Sequence, residues 1–209
     1  GEFTGFDLEM AAEVAKRLNL MIAYQPIAWD AKDMELDAGT IDCIWNGFTM
    51  NGREDDYEWS KPYMKNNQVF VVRGDSDINS EADLAGKNVE VQTDSSAEAA
   101  LNDNSELTST FGSLTPVADY NTAFMDLESG AVDAIAMDDV VASYQITSRK
   151  ADFKVLDDVI AAEEYGIGFK KGNTGLRDKV QATLEEMAAD GTAAKISEKW
   201  FGKDITTIQ

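Results

Sequence analysis

The stretch LDAGTIDCIWNG at residues 36–47 returns in altered form as LESGAVDAIAMD at residues 127–138, an offset of 91 residues (127 − 36). In each copy a helix-like segment ends at a glycine, Gly39 or Gly130, and an apolar, strand-like run follows. A helix, a glycine and a strand make up one standard unit of α/β proteins. Its repetition predicts two similar lobes rather than a long repeat array, although two such units can also resemble each other by chance.

The N-terminal third alternates helix and strand signals. Residues 11–18 carry apolar side chains at helical spacing, and Thr4 with Asp7 predicts a capping box at the start of that helix. The run LMIAYQPI at residues 20–27 predicts a strand. The run TIDCIW at residues 40–45 is nearly all apolar, which predicts a strand buried on both faces in a parallel sheet.

The rest of the chain continues the same alternation. A short helix and a strand are predicted within EADLAGKNVEVQ, helices in SSAEAALND and VVASYQITSRK, and a long extended passage in FKVLDDVIAAEEYGIGFKKGN. Two terminal helices are predicted on either side of Asp190-Gly191.

Charge and composition narrow the function. The chain has 209 residues with 39 acidic and 18 basic side chains, a formal charge of −21 and a pI near 4.2. The electrostatic field of so negative a chain repels phosphate backbones, which argues against nucleic-acid binding. The acidic residues are dispersed along the sequence, which is typical of a solvated surface. The sequence has no apolar run long enough to span a membrane.

Histidine is absent and Cys43 is the single cysteine. Without histidine the chain lacks the commonest general base and the commonest nitrogen ligand of metals, so hydrolytic triads and zinc catalysis are disfavoured. Cys43 lies in an apolar run, where we expect a buried, unreactive thiol. We therefore predict no catalytic residue, no metal site and no cofactor.

The loops that follow predicted strands are the places where open α/β sheets bind ligands. Arg53 follows the first repeat unit, and its guanidinium can hold a carboxylate with two parallel hydrogen bonds. The alternative for Arg53 is a solvated surface arginine. Ser95 and Ser96 begin a helix, so they can cap it, bind an anion at its N-terminus, or do both.

Two further residues complete the candidate site. Asp138 ends the second repeat unit and can hold an ammonium group, or it can cap the helix that follows. Trp29 is either a packing residue or an apolar wall for a ligand. An acid-recognising arginine and an amine-recognising aspartate in different lobes describe a receptor for an α-amino acid that closes when it binds.

The chain resembles the extracytoplasmic solute-binding proteins of polar amino-acid ABC transporters. The resemblance covers essentially the whole chain and rests on seven segments in that family's order: GEFTGFDLEMAAEVAKRL, IDCIWNGFTM with the GR that follows, WSKPYM, DLAGKNVEVQ, VDAIAMDD, EEYGIGFKKGN and ADGTAAKISEKWFG. The family's two-lobed core also occurs in ionotropic glutamate receptors, whose membrane segments this chain lacks.

The resemblance implies a role for each site residue. Arg53, assisted by Thr49 and Ser96, would bind the ligand α-carboxylate. Asp138, the Gly47 carbonyl and Thr49 would receive the α-ammonium, and Trp29 would stack on the side chain. The complete set of implied ligand-binding residues is Trp29, Asn46, Gly47, Thr49, Arg53, Gln92, Ser95, Ser96 and Asp138, with Asn46 and Gln92 facing the ligand side chain.

The resemblance also implies a fold. It is the α/β, two-lobed periplasmic-binding-protein fold of type II topology, with lobe one at residues 1–72 plus 165–209 and lobe two at residues 77–156. Hinge crossings would lie at residues 73–76 and 157–164. A family strand of lobe one that precedes this chain's start is expected to be missing, so a monomer is implied unless that strand is swapped.

Three departures from the family pattern bear on the site. The missing N-terminal segment normally adds a ligand contact. The spacing from Thr49 to Arg53 is one residue shorter than usual. Asp94 stands where the family often has glycine.

The predicted function is to bind an amino acid with a polar, uncharged or basic side chain and to deliver it to an ABC permease. The protein would act outside the cytoplasm, in a periplasm or at the outer face of a Gram-positive membrane through a lipid anchor absent from this chain. Two alternatives remain at this stage: a dehydratase-like enzyme for arogenate or prephenate, with Glu163 or Glu164 as its acid, and the sensor domain of a receptor.

Overall fold

A computed structural model describes residues 2–209 of the chain. Its α-helices are, in chain order, α1 (Phe6–Arg17), α2 (Lys32–Ala38), α3 (Ser96–Asp103), α4 (Ser105–Thr108), α5 (Tyr120–Ser129), α6 (Asp139–Arg149), α7 (Thr174–Ala189) and α8 (Thr192–Phe201). Single turns of 3₁₀-helix lie at Trp29–Ala31 and Glu81–Leu84.

The strands alternate with these helices along the chain. They are β1 (Cys43–Thr49), β2 (Glu58–Trp59), β3 (Met64–Arg73), β4 (Asn88–Gln92), β5 (Ser113–Val117), β6 (Ala134–Asp138) and β7 (Phe153–Phe169). The order confirms the predicted α/β class, including the two terminal helices and the long extended passage that β7 occupies.

The described residues form two compact units. Unit 1 contains residues 2–27, 31–65 and 163–209, and unit 2 contains residues 28–30 and 66–162. The prediction of two lobes is therefore confirmed. The unit boundaries fall inside the strands β3 and β7, whereas the sequence placed the ends of the lobes at residues 72, 77, 156 and 165.

The sheet of unit 1 is built on the C-terminal part of β7. Strand β1 pairs with it in antiparallel orientation, with Cys43 opposite Phe169 and Thr49 opposite Tyr165, and a register irregularity lies between Ile44 and Phe48. Strand β2 also pairs with β7 in antiparallel orientation. The prediction that residues 40–45 form a parallel strand buried on both faces was wrong, since β1 is antiparallel to β7 and includes half-buried and exposed residues.

Helix α1 covers one face of unit 1. Its buried residues are Phe6, Met10 and Val14, which recur every four residues and so form a single apolar stripe. That stripe packs toward β1 and the terminal helices α7 and α8.

In unit 2 the strand order is β7-β3-β6-β4-β5. Strand β6 pairs with β3 in antiparallel and with β4 in parallel orientation, and β4 pairs with β5 in parallel orientation. Apolar side chains cover both faces of this sheet. One cluster centres on Phe70, Val89 and Val91, and the other on Val71, Phe124 and Ile135.

Two local predictions were wrong. Residues 20–27 form no strand, and Leu20, Met21 and Ile22 are exposed. Helix α1 begins after Gly5 and receives no side-chain cap, because the Asp7 carboxylate accepts hydrogen bonds elsewhere in unit 1.

Candidate functional site

Arg53 lies in the loop after β1 and is held there by three neighbours. Its Nη1 donates to the Thr49 carbonyl oxygen at 3.1 Å, and its guanidinium carbon lies 5.2 Å from the centre of the Phe48 ring. The Trp59 indole N–H donates to the Arg53 carbonyl at 2.9 Å. An arginine stacked on an aromatic ring loses little rotamer freedom when it binds a carboxylate, because its planar fork is already oriented.

Thr49 is buried at the end of β1, and its side chain has a charged partner. The Thr49 hydroxyl donates to Oε1 of Glu163 on β7 at 2.6 Å, and both residues are buried. This short distance is typical of a hydroxyl that donates to a carboxylate. Sequence reasoning placed Glu163 only in the enzyme alternative, whereas the structure ties it to a predicted ligand-binding residue.

Gly47 adopts a backbone conformation that favours glycine, with φ at 55°. Its N–H donates to the Asp7 carboxylate at 2.7 Å, and the Tyr63 hydroxyl donates to the same carboxylate at 2.8 Å. Burial raises the pKa of Asp7, and these hydrogen bonds oppose the shift. A Cβ at position 47 would lie 3.3 Å from the Tyr165 ring, so the glycine also permits close packing. Asn46, the preceding residue, is exposed.

Asp138 ends β6 in unit 2 and is held by two amides. Nδ2 of Asn66 and Nε2 of Gln68 each donate to its Oδ1 at 3.0 Å. Asp138 occupies the N-cap position of α6, but its side chain makes no capping hydrogen bond there. The capping alternative is therefore wrong, and the carboxylate is positioned by β3 instead.

Ser95 and Ser96 make different hydrogen bonds at the start of α3. Ser95 caps the helix, since its Oγ accepts from the N–H of Glu98 at 3.1 Å. The Glu98 carboxylate accepts from the Asp94 N–H at 2.6 Å, one residue before the position that a capping box requires. Ser96 Oγ accepts from Gln68 Nε2 at 3.0 Å, so Gln68 joins Ser96 to Asp138.

Trp29 belongs to unit 2 together with the loop before α3. Its indole N–H donates to the Asp94 carbonyl oxygen at 3.2 Å. Asp94 has a φ of 58°, in the left-handed region. The glycine that the family often carries at this position would adopt that conformation without strain.

The side-chain hydrogen bond of Gln92 does not contact the other predicted site residues of unit 2. Its Nε2 donates to the Ala118 carbonyl at 3.3 Å, toward the turn that follows β5. Within unit 2 the structure thus brings together Ser96 and Asp138 through Gln68, and Trp29 with the loop beside Ser95. Within unit 1 it brings together Thr49 and Arg53.

Asn66 and Gln68 are residues of the candidate site that sequence reasoning missed, and Glu163 was named only for the enzyme alternative. Gln68 and Asn66 are buried at 0% and 2% exposure. Their signal in the sequence was the amide run NNQ immediately before the apolar run VFVV. Amides at the start of a buried strand need hydrogen-bond partners, and here the partners are site residues.

Cys43 is the single cysteine of the chain. Burial raises the pKa of the Cys43 thiol to about 12, which keeps the thiol protonated at neutral pH. Residues 2–209 contain no group of three histidine, cysteine, aspartate or glutamate side chains that could hold a metal ion. None of the helices in that range is long and apolar enough to cross a membrane.

Comparison with known proteins gives one consistent result. The model of the bacterial extracellular solute-binding proteins, family 3, matches residues 1–203. The chain is 32% identical to the L-cystine-binding protein TcyJ of Escherichia coli strain K12, over 99% of this chain and 77% of that protein. It is also 32% identical to the L-cystine-binding protein TcyA of Bacillus subtilis strain 168, over 98% of this chain and 75% of that protein.

A solved structure agrees with these relatives. It is a substrate-binding protein of an ABC uptake transporter from Streptococcus pneumoniae with bound histidine. It superimposes with a TM-score of 0.95 at 33% identity, and the match covers 99% of this chain and 87% of that one.

Proposed function

The chain belongs to the bacterial extracellular solute-binding proteins, family 3, and from this premise we propose that it binds one α-amino acid and delivers it to the permease of an ABC transporter. The family match over residues 1–203 carries the proposal. The family consists of transporter solute-binding proteins rather than enzymes, and nothing supports the dehydratase-like alternative.

We propose that Arg53 binds the α-carboxylate of the ligand. Its stacking on Phe48 and its bond to the Thr49 carbonyl support this role, because they orient the guanidinium before a ligand arrives. The N-terminus of α3 at Ser96 adds N–H groups and a favourable helix dipole for an anion. Ser95 supports this arrangement as the cap of that helix.

The α-ammonium is assigned to Asp138, the Gly47 carbonyl and Thr49. Two amide donors hold the Asp138 carboxylate in place, which supports its use as a preoriented acceptor. Both hydrogen bonds end on Oδ1. A carboxylate accepts hydrogen bonds, which is the property that recognition of an ammonium requires.

The ligand side chain is proposed to be polar and uncharged or basic, with Trp29, Asn46 and Gln92 as its neighbours. Two relatives are named L-cystine-binding proteins, and the pneumococcal protein was solved with histidine bound to it. The excess of 39 acidic over 18 basic side chains favours cationic over anionic ligands on approach.

We propose hinges at residues 73–76 and 157–164, about which the lobes close when both ends of the zwitterion are bound. The division between the units on β7, at residues 162 and 163, supports the second placement, whereas the division on β3 falls earlier than the first, at residues 65 and 66. Members of this family act outside the cytoplasm, and for this chain we propose either a periplasm or a lipid anchor at an outer membrane face.

A thermal-shift screen of the twenty amino acids and L-cystine tests the proposal. A ligand at 100 times its dissociation constant adds about 2.7 kcal/mol to the free energy of unfolding, which raises the Tm measurably. We expect a polar or basic amino acid, or cystine, to raise it most. A flat response to all twenty-one compounds contradicts the proposed function, and a response to glutamate alone contradicts the selectivity.

A further inference from the structure

We infer that Glu163 is a positioning residue for the cationic group of the ligand, because it holds the Thr49 hydroxyl so that the hydroxyl oxygen can only accept a hydrogen bond. This inference rests on the proposed amino-acid binding. It adds a residue that determines whether the Thr49 hydroxyl donates a hydrogen bond to the ligand or accepts one from it.

The geometry comes from two strands of unit 1. Glu163 and Tyr165 are two residues apart on β7 and therefore point to the same face of the strand. The Tyr165 ring packs against Gly47, and Thr49 lies opposite Tyr165 in the register of β1 and β7. Glu163 consequently lies beside the Gly47–Thr49 end of β1, where its Oε1 is 2.6 Å from the Thr49 hydroxyl.

A hydroxyl has one proton and two lone pairs. In this structure the Thr49 proton is donated to Glu163, so the Thr49 oxygen has only lone pairs to offer to a ligand. A ligand carboxylate has no proton to donate, whereas an ammonium has three. The contact with Glu163 thus removes Thr49 from carboxylate recognition, which falls to Arg53, and assigns its hydroxyl to the amine.

Charge reinforces this assignment. Glu163 is 6% exposed, so solvent screens its carboxylate poorly. A cation bonded to the Thr49 oxygen would lie roughly 5–6 Å from this carboxylate, and at an effective dielectric constant of about 20 the attraction corresponds to about a hundredfold in affinity. Loss of part of this attraction should be measurable even after the site relaxes.

The competing explanation is that the bond between Thr49 and Glu163 only joins β1 to β7. A purely structural bond would affect every ligand of the site equally. A positioning role predicts a loss confined to ligands that carry the amine, so paired ligands with and without that group distinguish the two explanations.

The test measures affinity by calorimetry for L-histidine, L-arginine and L-cystine and for their des-amino analogues imidazolepropionate, guanidinovalerate and dithiodipropionate. Weak analogues are measured by competition at millimolar concentration. The variant is Glu163→Gln, and the matched control is Glu164→Gln, which changes an exposed carboxylate on the same strand.

We expect Glu163→Gln to weaken the amino acid that the wild type binds best by tenfold or more and to change its analogue by less than threefold. In a Thr49→Val background the same substitution should weaken the amino acid less than it does with Thr49 present, because only the attraction across space is then lost. Equal losses for both ligands, no loss for either, or a full loss in the valine background overturns the inference.

Two further arms keep the test decisive. If Glu163→Gln does not fold, Thr49→Val and Thr49→Ser replace it. The valine variant must lose the preference for the amino acid over its des-amino analogue, and the serine variant must keep it. Any other result overturns the inference. If another amino acid of the thermal-shift screen binds better than these three, that amino acid and its des-amino analogue are used instead. If the wild-type protein binds none of the twenty-one compounds, the proposed function itself fails, and this outcome is seen before any variant is compared.

Discussion

Gln68 and Asp138 face each other across β3 and β6, and the amide nitrogen of Gln68 lies 3.0 Å from the Asp138 carboxylate. The same nitrogen lies 3.0 Å from the Ser96 hydroxyl. One fully buried amide therefore positions both the acidic group and the start of the helix that we assign to opposite ends of the ligand. Rigid support of this kind is what a binding site needs, since a displacement of about 1 Å weakens its hydrogen bonds.

Replacing Gln68 by leucine is expected to weaken ligand binding by about 10- to 100-fold. The substitution leaves Asp138 and Ser96 without a shared donor, and a lost partner of a buried polar group costs about 1–3 kcal/mol. Calorimetry with the best ligand of the screen measures the loss. Asn67→Ala is the matched control, because Asn67 makes the same kind of bond to Asp139 on the opposite side of the strand. Equal losses for both variants would contradict the assignment.

Charge reversal at Arg53 is expected to abolish binding while the protein stays folded. Arg53→Glu places a carboxylate against the ligand carboxylate, and Arg53→Lys keeps the charge but loses the bidentate fork, so lysine should cost about tenfold and glutamate more than a hundredfold. Affinity is measured by calorimetry and the fold by circular dichroism. Arg177→Lys, which alters an ion pair with Glu58 in the same unit, should bind normally. Wild-type affinity in Arg53→Glu would refute the carboxylate assignment.

Glu90 should make unit 2 lose stability as the pH rises. Burial, and then the charge and hydrogen bond of Asp126, raise the pKa of Glu90 from 4.5 to about 7. A raised carboxyl pKa means that the folded state holds the proton more tightly, so the associated stability is complete below pH 4.5 and is lost as the pH passes 7. At pH 8.5 the loss amounts to roughly 3 kcal/mol.

Denaturation of the wild type and Glu90→Gln between pH 5 and 8.5 measures this effect. Glutamine cannot ionise, so the variant should gain stability relative to the wild type as the pH increases. Glu106→Gln, on the exposed side of α4, serves as the control and should follow the wild type. Parallel curves for the wild type and Glu90→Gln would show that Glu90 does not titrate in this range.

Tyr63→Phe is expected to lower the free energy of unfolding by about 1–3 kcal/mol, because it removes a donor from the buried Asp7 carboxylate. The loss should grow with rising pH, since an ionised Asp7 then has one partner fewer. Urea unfolding at pH 5 and pH 8 measures both effects. Tyr24→Phe loses a hydroxyl bond to the partly exposed Leu8 carbonyl and should cost less than 1 kcal/mol. A Tyr63 variant no weaker than the Tyr24 variant would contradict the role of Asp7.

Local signals in the sequence were reliable where the physical cause is local. Gly39 and Gly130 end α2 and α5 at φ values of 76° and 77°, as the repeated stretch predicted. A left-handed residue at a helix end favours glycine whatever surrounds it. The Ser95 cap was found for the same reason, since its partner is three residues away.

The errors concern partners that are distant in sequence. Residues 20–27 have the composition of a strand but form none, because a strand exists only through hydrogen bonds to another strand. Asp138 stands where a cap would stand, yet Asn66 and Gln68, some 70 residues earlier, hold its carboxylate. Spacing along the chain contains no information about such cross-strand contacts.

The sequence by itself determined the α/β class, the repeated helix–glycine–strand units, the Ser95 cap and the family, because each depends on short-range patterns or on motifs in order. Only the tertiary structure decided that Gln68 joins Ser96 to Asp138 and that Glu163 holds Thr49. Those contacts follow from strand register and from the face on which each side chain lies, and both are set when distant segments pair and pack together.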